Sequence, residues 1–92
     1  MNSKKILHLI LMRKWFDEIL VGTKKIEYRE IKPYWTKRLF NKDGTAKKYD
    51  LIYFKNGYAK DCPKMIVEFK GVRKGEKGYE ILLGEVLEII SY

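Results

Sequence analysis

Lys24, Glu27 and Arg29 stand close together in the stretch GTKKIEYRE, and Glu68 is set among apolar neighbours in MIVEFKG. Residues two apart on a β-strand share a face, so Glu27 and Arg29 point the same way if this stretch is extended. On a central strand each ion would lose water and need a partner, because an unpaired buried charge costs several kcal/mol. Ions kept at such a place hold each other or a ligand. On an edge strand the same alternation is a solvated surface, where each pair contributes about 0–1 kcal/mol. Glu68 presents a parallel choice. Desolvated by Ile66, Val67 and Phe69, it could shuttle a proton or orient a lysine or arginine. Facing outward, it would simply pair with Lys70.

Aromatic side chains are interleaved with bases in KPYWTKRLF and YFKNGYAK. Aromatic faces stack on nucleobases and cations hold phosphates, with stacking worth about 1–3 kcal/mol per base. Trp35 and Tyr58 are the candidates for such contact, while Trp15, Phe16, Tyr28, Phe54 and Phe69 read as core. His8, inside an apolar run, reads as a hydrogen-bonded core residue. A single cysteine, Cys62, has no disulfide partner within the chain, and one histidine falls short of a structural zinc set. The lysines beside Cys62 would favour its thiolate, but no His or Asn pattern marks it as a nucleophile. The chain has neither a phosphate-cradling glycine loop nor a nucleophile elbow. No metal and no cofactor are expected.

The 92 residues carry 20 Lys and Arg against 12 Asp and Glu, a net charge of +8. That surplus favours an anionic partner such as RNA. Residues 1–46 hold eleven bases and five acids, residues 47–92 nine and seven, so the positive field comes mainly from the first half. The opening MNSKKILHLILM places lysines before an apolar run, but the run is short, is broken by His8 and is not followed by a small-residue cleavage site. No stretch approaches the ~20 apolar residues that span a bilayer. The reading is a soluble cytoplasmic protein that does not enter a membrane, with one domain over residues 1–92.

The elements that would position these groups follow from periodicity. Ile6 to Met12 is a continuous apolar run, which suits a first strand buried on both faces. Met12, Trp15, Phe16, Ile19 and Leu20 form a helical stripe over Arg13 to Val21, with Gly22 as a left-handed cap. Lys25 to Glu30 alternates, and packing Ile26 and Tyr28 inward sends Lys25, Glu27 and Arg29 to the other face. Pro33 starts a second short helix to about Phe40. NKDGTAKK reads as a loop. Strands are expected over Tyr49 to Phe54, Lys64 to Val72 and Tyr79 to Ile90, with Gly84 marking a bulge or a close backbone contact. Tight turns imply mostly antiparallel pairing, and so many strands in a small chain tend to curl into a barrel. The fold class is α+β, mainly β, with five to six strands and two short helices.

Assembled in this order, the FDEILVGTKKIEYRE segment, the aromatic-basic helix, KMIVEFKGVRKG and LLGEVLEII resemble an ASCH domain of the PUA-like superfamily over nearly the whole chain. The resemblance implies a small PUA-like β-barrel whose mouth takes RNA or a nucleotide-like ligand, with Lys24, Glu27, Arg29 and Glu68 lining the cleft. One branch resembles acetylcytidine amidohydrolases, which use a lysine, a threonine three residues later and a glutamate on a later strand. Lys24 and Glu68 match the first and third and would be catalytic if the chain is an enzyme; Glu27 stands where the threonine would be. The leading reading is an RNA- or nucleotide-binding module, the alternatives a hydrolase of a modified nucleoside or of RNA, or a module that docks an acidic protein partner.

Overall fold

The computed structural model describes residues 4–92. Its elements run β1 (Ile6–Ile10), α1 (Arg13–Val21), β2 (Ile26–Arg29), α2 (Pro33–Leu39), β3 (Leu51–Lys55), β4 (Lys64–Lys74) and β5 (Tyr79–Ser91). All seven fall where the sequence pattern puts them, with some ends moved by one or two residues. The five strands form one sheet in the order β1-β3-β4-β5-β2, curled into a half-barrel. The β1–β3 pair is parallel; the other three pairs are antiparallel.

The curl has a local cause. Along β4 and β5 the register shifts at four places between Lys64 and Gly71. Extra residues in one strand of a pair bend it and increase its twist. Gly84 lies in this irregular stretch, and a Cβ built there would come within 2.9 Å of both Cβ and Cδ of Glu68. The glycine therefore marks a close approach, as expected.

The concave side carries the core. Leu7 and Leu9 of β1, Ile52 and Phe54 of β3, Met65 and Val67 of β4, and Ile81 and Leu83 of β5 point into it. α1 adds Phe16 and Ile19, and α2 adds Leu39. Pro33 opens α2, and Lys37 and Arg38 lie in its last turn, where cations favour the exposed carbonyl end. Gly22 caps α1 in the left-handed region at φ 90°.

Three expectations are corrected. β1 is an edge strand and not a doubly buried one: Leu7 and Leu9 are buried while His8 is exposed and lies 5.4 Å, centroid to centroid, from the Tyr53 ring. Helices cover only the concave side, so the other face of an apolar run still meets water. For the same reason Tyr28, expected in the core, is 48% exposed; Trp15 of α1, also expected there, is 37% exposed. Most consequential is β2. Glu27 pairs in register with Ile81 and Arg29 with Tyr79, and both partners are buried. Opposed residues share a face, so the charged pair looks into the concave side and Tyr28 looks out.

Among the described residues, no helix is long and apolar enough to cross a membrane.

Candidate functional site

Among the described residues, Glu27 is the one charged residue whose side chain is buried, 6% exposed. Its carboxylate is held from both sides. Arg29 Nη2 donates to Oε2 at 2.8 Å, and Lys24 Nζ lies 3.6 Å from Oε1. The three thus meet, as the spacing suggested, and the trio keeps a net positive charge.

Each member is fixed by its element. Beyond the Gly22 cap, the amides of Thr23 and Lys24 both donate to the Glu18 carbonyl, at 3.0 and 3.1 Å, which pins Lys24 to the end of α1. Antiparallel pairing with β5 fixes Glu27 and Arg29. Arg29 Nη2 also donates to the Ile10 carbonyl at 3.0 Å. Ile10 ends β1, so this one guanidinium joins the two outer strands of the half-barrel across its open side. Asn56 reinforces the same corner by donating from Nδ2 to the Leu11 carbonyl at 2.9 Å.

Aromatic rings surround the ions. Lys24 Nζ lies 4.9 Å from the Trp15 ring centroid and 5.2 Å from that of Tyr28, and the Arg29 guanidinium lies 4.9 Å from that of Trp35. Such placements are worth about 0.5–2 kcal/mol each, more as water is excluded. Trp35 is itself steadied from below, since Thr36 Oγ1 hydrogen-bonds the hydroxyl of Tyr79, the residue paired with Arg29.

Two hollows open here. One of about 270 Å³ is bordered by Trp15, Glu27, Tyr28, Arg29 and Trp35. A neighbour of about 390 Å³ shares Arg29 and Trp35 and adds His8, Tyr34, Lys55 and Tyr58. Arg29 Nε is enclosed by protein yet hydrogen-bonds no other described residue. A buried donor left this way costs about 1–3 kcal/mol. The cleft therefore combines a cationic floor with flat aromatic walls.

Trp35 and Tyr58 both border this cleft, Tyr58 with 87% of its surface exposed. Glu68 does not join it. Glu68 is opposed to Leu51 and lies between Val67 and Phe69, so it projects from the convex side. There Glu68 Oε1 accepts from the Glu85 amide at 3.4 Å and lies 3.9 Å from Lys70 Nζ. Lys24 and Glu68 therefore have different partners, Glu27 for the lysine and Lys70 for the glutamate. Sequence reasoning missed Trp15, His8 and Lys55 as cleft residues. Trp15 was absorbed by the apolar stripe of α1, and the other two lie on strand faces that only the topology brings beside Arg29.

Comparison with known proteins returns no matching family model, no matching curated protein and no matching solved structure. The ASCH resemblance stands on the motifs of the sequence alone.

Proposed function

We propose that this chain is a cytoplasmic, ASCH-like RNA- or nucleotide-binding module that takes an unpaired base and its phosphate into the cleft between β1 and β2. The observation that carries this reading is the buried Glu27 carboxylate held by the partly exposed Lys24 and Arg29 and flanked by Trp15 and Trp35. Single-stranded RNA is read by stacking splayed bases on aromatic or guanidinium planes and by hydrogen bonds to their edges. Trp35 or Tyr58 supplies the stacking surface. Arg29 offers its guanidinium edge to a base or phosphate acceptor, Lys24 holds phosphate, and Glu27 keeps both cations in place. The surplus of positive charge draws the polyanion in. Hydrolysis by Lys24 together with Glu68 gains no support, since Glu68 does not border the cleft and pairs with Lys70.

Both tryptophans of the chain border the same hollow, so their fluorescence reports binding directly. Titration with single-stranded RNA oligomers at several salt concentrations is expected to show saturable quenching that weakens as salt rises. Arg29→Ala is expected to reduce affinity at least tenfold, and Trp35→Ala to cost the ~1–3 kcal/mol of one stacked base. Affinity indifferent to both salt and the Arg29 substitution overturns the reading.

A further inference from the structure

At the opposite end of β1 from the cleft, the segment Ala46–Tyr49 forms a ridge between two depressions. One, of about 790 Å³, is bordered by Lys5, Asn41, Thr45, Lys47, Lys48 and Tyr49. The other, of about 330 Å³, is bordered by Lys47, Lys48, Tyr49, Phe69 and Lys70. No carboxylate lines either one. The contrast with the cleft is chemical. There Lys24 and Arg29 share a buried carboxylate, whereas Lys5, Lys47 and Lys48 form no ion pair with any described residue. Lys70 has only the long 3.9 Å contact with Glu68.

The walls are firm. The Lys5 amide donates to Asp50 Oδ2 and the Asp50 amide to the Lys5 carbonyl, both at 2.8 Å, which ties the start of β1 to the approach to β3. The Lys47 amide donates to the Leu39 carbonyl at 2.9 Å, and a bridge between Phe40 and Ala46 closes the loop at its base. Within that loop Thr45 Oγ1 and the Thr45 amide both donate to Asp43 Oδ1, at 2.6 and 3.0 Å. Tyr49 packs edge-on against Phe69 and its hydroxyl donates to the Arg38 carbonyl at 2.6 Å, so the ridge is anchored from beneath.

We infer that this ridge is a second binding surface, a backbone-tracking groove in which Lys5, Lys47 and Lys48 hold the phosphates of the same RNA strand whose base enters the cleft. The inference rests on the RNA reading above and extends it. Lysine is a flexible point charge without the fork geometry that reads a base edge, so three lysines on an open channel suit phosphodiesters of any sequence. The Ile6–Ile10 span of β1 separates the groove from the Arg29 clasp by roughly 13 Å at ~3.3 Å per residue. Only a strand long enough to cover that distance engages both.

The test compares the short dinucleotide UpU, whose single phosphodiester cannot bridge the cleft and the groove, with a long oligouridylate of about sixteen nucleotides, the upper end of the site sizes seen in small barrel-type single-strand binders. It uses the wild type, the triple variant Lys5→Gln/Lys47→Gln/Lys48→Gln, and a control of equal charge, Lys60→Gln/Lys74→Gln/Lys77→Gln. For the long oligomer, the groove variant is expected to lower the slope of log affinity against log salt by about 2, at ~0.7 per phosphate contact, while binding of the short oligomer by the cleft stays within twofold of wild type. The control is expected to change the slope much less. An unchanged slope in the groove variant, or an equal fall in the control, overturns the groove while Arg29-dependent binding keeps the cleft reading intact. Loss of polyglutamate binding with RNA binding preserved overturns it in favour of an acidic protein partner. If the wild type binds neither oligomer, the cleft reading and the groove fall together.

Discussion

The inverted face of β2 makes a strong prediction about Glu27. Replacing it with Gln keeps the shape and one acceptor but removes the charge that both Arg29, at 2.8 Å, and Lys24, at 3.6 Å, are held against. Because Glu27 is only 6% exposed, water offers little compensation. A lost charge-assisted hydrogen bond costs about 1.5–3 kcal/mol and a buried pair broken outright about 3–5 kcal/mol. Glu27→Gln should therefore cost about 2–3 kcal/mol and Glu27→Ala about 3–5 kcal/mol. For a domain of this size the Gln variant corresponds to a fall in Tm of about 8–24 °C. Urea unfolding of the wild type, Glu27→Gln, Arg29→Gln and the double variant gives the coupling, expected at about 1–3 kcal/mol. Arg29→Gln alone should cost more than that coupling, because it also releases the Ile10 carbonyl and with it the link between the outer strands. Repeating the series near 1 M salt separates a buried pair from a surface one, since only the latter is screened away. A Glu27→Gln cost below about 0.5 kcal/mol, or one that vanishes in salt, would refute the claim that this carboxylate looks into the half-barrel.

Two further predictions concern the scaffold. Gly84→Ala puts a methyl group 2.9 Å from Glu68 Cβ and should cost about 1–3 kcal/mol in urea unfolding; adding Glu68→Ala should recover only part of that, because the offending Cβ remains. A cost under about 0.5 kcal/mol would show that the β4–β5 bulge yields freely. The Asp43 carboxyl is held below its usual 3.8, chiefly by the Thr45 hydroxyl and then by the Thr45 amide. With a depressed folded pKa, its contribution to the loop is present above the unfolded value and is lost as pH falls through the folded one. Thr45→Val removes the hydroxyl donor, so the carboxyl should titrate closer to 3.8 and the loop should loosen at a higher pH than in the wild type. Carboxyl carbon shifts followed by NMR against pH read this directly, and an unmoved midpoint counts against the hydrogen bond.

The elements themselves were legible in the local pattern. The 3.6-residue stripe carrying Phe16 and Ile19, the Gly22 cap, Pro33 and the two-residue alternation of Met65 and Val67 are local rules, legible wherever hydrophobic period and turn chemistry agree. The sequence also placed Lys24, Glu27 and Arg29 on neighbouring positions, within reach of one another. Which way each strand faces, and what lies across from it, came from long-range packing. Alternation says that Glu27 and Tyr28 differ in face, but the sign is set by pairing with Ile81 and Glu80 of β5, more than fifty residues away in the chain. The same long-range pairing sent Glu68 to the convex side with Leu51, turned His8 outward, and brought the end of β1 under the Arg29 guanidinium. A two-residue period fixes a pattern only up to inversion, and burial against distant partners breaks that symmetry.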